Sequence, residues 1–175
     1  TIIKEPSRQI TPKRIRKLYF LQNPSVSDFI GQSMVTLSYD DGMTNNYEIA
    51  LPLHEQYGVP ATFNIIAGRV QDTQQVGERM NAKQILDAHR RGIEIASHAY
   101  YHDAQLTSKT DQEVHFEMAE SKAKLAQIVG SEVETIAIPF SAYDDRVRSI
   151  AMQYYKGVRV YSNKLNDIPP DDRYR

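Results

Sequence analysis

The 175-residue sequence contains no cysteine, so no disulfide framework can define the fold and the redox compartment is left open. Tryptophan is also missing. No apolar run approaches the ~20 residues of a membrane span or the core of a signal peptide, so a soluble chain without a span is expected. Net charge is nearly absent too: 21 Lys and Arg against 22 Asp and Glu leave a formal charge of −1. That balance gives no global reason to expect nucleic acid or an anionic membrane as partner. The sequence shows no internal repeat and no low-complexity segment. With 41% hydrophobic residues over this length, one domain with a sizeable core is expected. The first twenty residues stand apart, with Lys4, Arg8, Lys13, Arg14, Arg16 and Lys17 against Glu5 alone. Residues 1–32 are therefore read as a solvated extension or linker, ahead of a domain over residues 33–175. The chain opens on Thr1 rather than Met, as expected of processing or a chosen boundary.

Hydrophobic periodicity alternates along the remainder. Residues 34–39 (M-V-T-L-S-Y), 61–67 (A-T-F-N-I-I-A), 93–96 and 135–138 read as short buried strands, and 157–161 (G-V-R-V-Y) as a fifth. Helical segments lie between them. Residues 45–57 stop at Gly58 with Pro60 just beyond, and Pro52 is expected to kink or shorten that helix. Residues 81–91 open on Asn81 as N-cap, with Gln84 three residues later, and close at Gly92. Over 110–129, T-D-Q-E forms a capping box, and Val114, Met118, Leu125 and Ile128 keep one apolar stripe before Gly130. A last helix is expected over 144–155. Strand and helix in repetition argue for an α/β fold with parallel strands and helical crossovers.

Asp40 and Asp41 follow the first strand, His98 the third and Pro139 the fourth, so all fall at carboxyl ends of parallel strands. That is the edge where barrels and open α/β sheets place active sites. Catalytic zinc commonly takes three protein ligands from histidine and carboxylate, and His98, His102 and one aspartate meet that count. Each feature alone has a plainer reading. The histidines can be a coincidence of loop spacing, and D-D-G after a strand is a respectable turn in which Gly42 supplies positive φ. Their occurrence at one edge of one expected sheet favours a shared site. A metal needs one carboxylate, and successive extended residues diverge, so the second aspartate is left to accept a proton. Such a site suits hydrolysis.

The ordered motifs S-Y-D-D-G at 38–42, S-H-A-Y-Y-H at 97–102 and A-I-P-F-S-A-Y-D at 137–144 resemble the polysaccharide deacetylase family, the NodB-homology domain of carbohydrate esterase family 4. The V-P-A-T-F-N-I stretch at 59–65 looks like that family's second strand, and the likeness runs from about residue 34 to 161. The resemblance implies a distorted (β/α) barrel and metal-dependent removal of acetyl groups from N-acetylated, or sometimes O-acetylated, sugars. It implies Asp40 as general base. It places a divalent ion on Asp41, His98 and His102, zinc foremost, with cobalt, nickel or iron also suited to these donors. It makes the main-chain N–H of Phe140 an oxyanion donor, while Pro139 and Phe140 are otherwise wall residues. Tyr100 and Tyr101 are read either as a surface for a sugar face or as packing residues, with Tyr101 the substrate-binding candidate. The partner implied is an acetylated polysaccharide or oligosaccharide, at the cell envelope or exterior.

The sequence departs from the family pattern at several positions. Ala137 stands where the third motif usually carries an arginine that orients the base, Ala99 where a Ser or Thr commonly supports the second metal histidine, and Ser141 where glycine is usual. Family members generally supply a late histidine as general acid, whereas His54, His89, His98, His102 and His115 all precede the third motif. His54, His89 and His115 are expected at the surface. Residues 166–175 look like the point where such a chain continues, so a barrel incomplete at its C-terminal end is expected. The alternative is a degenerate member that binds glycan or protein without turnover; a different metal hydrolase or lyase is disfavoured by the order of the motifs.

Overall fold

A computed structural model describes residues 36–71 and 77–161; the basic N-terminal stretch and the whole extension 1–32 lie outside these. Five strands, β1 (Leu37–Tyr39), β2 (Ala61–Ile65), β3 (Glu94–Ser97), β4 (Thr135–Ala137) and β5 (Gly157–Arg159), form one sheet in the order β1-β2-β3-β4-β5. Every pairing is parallel. Helices α1 (Leu51–Tyr57), α2 (Ala82–Arg90), α3 (Asp111–Val129) and α4 (Asp145–Ala151) occupy the crossovers. This is the expected α/β half-barrel, with all site motifs at the carboxyl edge.

Several element ends differ from expectation, each for a local reason. β2 stops at Ile65 because the next amides leave the sheet: Ala67 N and Gly68 N donate to Ala99 O and Tyr100 O at 3.1 and 2.8 Å. The segment expected as one helix over 45–57 opens with a π-helical turn, Asn46–Ala50, before α1. Leu51 N there bonds Asn46 O, and Pro52, which has no N–H to give, falls in the first turn of α1 where none is required. α4 ends at Ala151, four residues short.

Both expected capping boxes are present, Asn81 with Gln84 on α2 and Thr110 with Glu113 on α3. Gly130 closes α3 in the left-handed region at φ 75°. The core joins Phe63, Ile65, Ile95 and Ile136 of the sheet to Leu51, Ile85, Val114, Met118, Leu125 and Val147 of the helices. Truncating one such residue, Leu125→Ala for example, costs about 2–5 kcal/mol. His54 is buried, contrary to the surface position expected for it: Nδ1 donates to Val59 O at 2.7 Å and Nε2 accepts from the Tyr39 hydroxyl at 2.9 Å. His115 is half-buried with Nδ1 2.8 Å from the Tyr154 hydroxyl. Among the described residues no helix is long and apolar enough to cross a membrane.

Candidate metal centre

Three loops leave the carboxyl edge of the sheet and meet. The first, Asp40 to Gly42, turns with two successive left-handed residues, Asp41 at φ 76° and Gly42 at φ 66°. A β-carbon on Gly42 would stand 3.2 Å from Ile65 Cδ1, so glycine also serves the close approach of this turn to β2. The second loop, after β3, carries Ala99 at φ 62° and His102 at φ 52°; the third, after β4, carries Phe140 at φ 57° and Ser141 at φ 52°. Every non-glycine residue with positive φ among the described residues lies in these three loops. Such conformations are costly for residues with a β-carbon and persist where the surroundings over-determine them, which makes this edge the candidate site.

The loops bring Asp41, His98 and His102 together, one ligating atom of each within 4.8 Å of the others. Asp41 Oδ1 is 3.7 Å from His98 Nε2 and 3.8 Å from His102 Nε2. Around a tetrahedral zinc with bonds of about 2.0–2.1 Å, neighbouring donors stand roughly 3.3 Å apart, so the two Asp41–histidine separations lie within about half an ångström of those around a divalent cation.

The donor chemistry fits as well. His98 Nδ1 donates to Ala137 O at 2.8 Å, which fixes the proton there and leaves the Nε2 lone pair facing Asp41. Burial pushes the His98 imidazole below its ordinary pKa, against the Ala137 carbonyl and the charge of Asp40, and so favours the neutral form that ligates metal. Arg79 donates from Nη1 to Asp41 O at 2.7 Å and lies 3.5 Å from Oδ2, holding the aspartate turn from behind.

Asp40 projects separately. Its Oδ1 accepts from Asn64 Nδ2 at 2.7 Å and from Arg159 Nη2. Burial raises its pKa, but the Arg159 hydrogen bond and charge, together with the Asn64 amide, outweigh this, and the carboxyl is held below its ordinary value. Asp40 is therefore ionised across the physiological range and able to accept a proton.

Phe140 is 56% exposed, with its ring 4.5 Å from that of His102, whereas Pro139 is buried beneath it. Tyr101 is exposed and stacks on Phe116 at 5.6 Å, beside an open cleft of about 360 Å³ that reaches Asp103 and Lys109. Tyr100 turns inward against the core and is a packing residue.

Sequence reasoning missed the supports. Asn64 and Arg159 were visible as polar residues inside otherwise apolar strands. Glu117 was visible as an acid within the apolar stripe of α3. It is 1% exposed, and its Oε2 accepts from Tyr100 N at 2.7 Å and Tyr101 N at 2.9 Å. Oε1 faces Lys109 Nζ at 3.0 Å as an ion pair rather than a well-aligned hydrogen bond. One buried carboxylate thus fastens the loop between the two histidines.

The sequence profile of the polysaccharide deacetylase family matches residues 30–158. YxkH of Bacillus subtilis, provisionally named a polysaccharide deacetylase, is 28% identical over 151 residues, which are 85% of this chain and 50% of that protein. Of the solved structures, the Streptococcus pyogenes deacetylase PplD in complex with acetate superposes with a TM-score of 0.67 at 25% identity, covering 85% of this chain and 62% of that one. BC0361, a polysaccharide deacetylase from Bacillus cereus, gives a TM-score of 0.61 at 28% identity over 71% of this chain and 39% of its own. The chain thus spans about half the length of YxkH.

Proposed function

Because the chain belongs to the polysaccharide deacetylase family, we propose that it forms the metal-dependent hydrolytic centre of an enzyme removing acetyl groups from N-acetylated sugars of a polysaccharide. The observation that carries this reading is the convergence of Asp41, His98 and His102 with the Asp40 carboxylate held apart by Asn64. Asp41, His98 and His102 would hold a divalent cation, zinc before cobalt, nickel or iron, which when bound would supply Lewis acidity to the acetyl carbonyl and to water.

The chain's own residues do the rest. Asp40, ionised and in place, takes the proton from the attacking water. The main-chain N–H of Phe140, presented by a strained turn, donates to the oxyanion that develops on the acetyl oxygen. The Phe140 ring over His102 and the exposed Tyr101 ring offer apolar faces to a pyranose, while buried Pro139 sets the course of the third loop. Ser38 and Asn64, bonded at 2.6 Å, keep the amide of Asn64 aimed at Asp40.

The test is acetate release from acetylated glucosamine oligomers by the zinc-loaded native polypeptide and its Asp40→Asn variant. The wild type is expected to release acetate, and the variant to be slower by about 10²–10⁴-fold with zinc affinity unchanged. Zinc and oligomer binding without release by the wild type would instead establish a glycan-binding member, the reading that Ala137 in the third motif favours.

A further inference from the structure

We propose that Arg159 of β5 is the positioning residue for the Asp40 carboxylate, acting from the strand beside the one that carries Ala137. This rests on the hydrolase reading above and adds a residue to it.

The geometry carries the assignment. Arg159 Nη2 donates to Asp40 Oδ1, the same oxygen that accepts from Asn64 Nδ2. Two donors on one oxygen restrain the carboxylate and leave Oδ2 as the oxygen to accept a proton. A planar guanidinium with several fixed N–H directions holds such an orientation better than the point charge of an ammonium. Val158 on β5 and Val160 just beyond it pack against the core, so Arg159 between them faces the opposite side of the sheet, from which it reaches Asp40. Its register partner on β4 is Ala137, and paired residues of parallel strands point to the same face. Ala137, 1% exposed, contributes only a methyl group at that position.

The ion pair has little reason to exist for stability. The Arg159 and Asp40 side chains are 44% and 45% exposed, and ion pairs at that exposure contribute little to folding. What the pair does determine is where a proton acceptor points.

The experiment uses the native polypeptide loaded with zinc. Arg159→Ala is expected to lower kcat about 10–100-fold, the penalty of a misdirected catalytic group, with KM and zinc affinity within about twofold of wild type. Arg159→Lys recovers only part of the loss. Ala137→Arg on the Arg159→Ala background returns a guanidinium from the neighbouring strand and recovers most of it. Millimolar guanidinium chloride accelerates Arg159→Ala and leaves the Asp40→Asn/Arg159→Ala double variant unchanged. Should Arg159→Ala fail to fold, Arg159→Gln, which keeps the stem, takes its place in the same comparison. An active wild type whose Arg159 variants keep kcat, or lose only KM, overturns the role of Arg159 and leaves the hydrolase reading standing. A wild type that releases no acetate overturns both.

Discussion

Glu117 and Tyr155 show how single buried polar side chains hold the loop that carries His98 and His102. Glu117→Ala would orphan the amides of Tyr100 and Tyr101 and leave Lys109 facing Asp103 alone. The expected cost is about 3–5 kcal/mol of stability, with a roughly tenfold weaker zinc affinity, measurable by thermal unfolding and by competition with a chelator. Glu117→Gln, which keeps one acceptor, should fall between. Tyr155 donates to Met118 O at 3.0 Å and meets Ser121 Oγ at 2.9 Å, and Ser121 accepts from Ser97, whose Oγ also accepts from Ala99 N. Burial pushes the Tyr155 hydroxyl up to about 12, with the serine hydrogen bonds pulling the other way. A folded-state pKa above the unfolded value means a contribution that is full below pH ~10 and lost as pH rises through 12. Stability should fall by roughly 2–3 kcal/mol more between pH 9 and 12 in the wild type than in Tyr155→Phe, read by denaturant unfolding at each pH. At this scale the convergence of Asp41, His98 and His102 was legible because residue type and spacing carry it. Asn64, Glu117 and Arg159 were not, because a polar residue in an apolar pattern declares that it has a partner without saying which.

Helices with reciprocal caps and a glycine stop, α2 and α3, were readable almost to the residue, because their end signals are local. The end of β2 and the start of α1 were not. Both depend on backbone groups supplied from far along the chain or on a proline whose effect is set by its register in the turn. The turn after β2 illustrates the difference. Gly68 N donates to Tyr100 O at 2.8 Å, and a β-carbon there would come to 2.5 Å from that same oxygen. Gly68→Ala must therefore displace the loop that carries both histidines, and zinc affinity is expected to drop about 10–100-fold. Gly130→Ala is the control: its β-carbon meets nothing within 4 Å, and the φ of 75° alone is strained. It should cost about 1–2 kcal/mol in stability and leave zinc affinity unchanged, in parallel chelator titrations.

For the molecule as a whole, the parallel order of strands was legible from alternation, whereas its curvature was legible only through the family resemblance, which implied a barrel. A flat sheet would set β1 and β5 about 19 Å apart, at about 4.8 Å per strand spacing. Arg159 nonetheless reaches Asp40, 119 residues away, so the sheet curls until its outer strands face one another across the site. Curling is what brings three loops on separate strands together at one candidate metal site. The centre is tested most directly by anomalous diffraction from zinc-loaded crystals of the native polypeptide. The account predicts one peak, about 2.0–2.2 Å from a carboxylate oxygen of Asp41 and from Nε2 of both His98 and His102, with the Asp40 carboxylate outside bonding distance. A peak ligated by Asp40, or ordered loops with no peak between the two histidines, would contradict it.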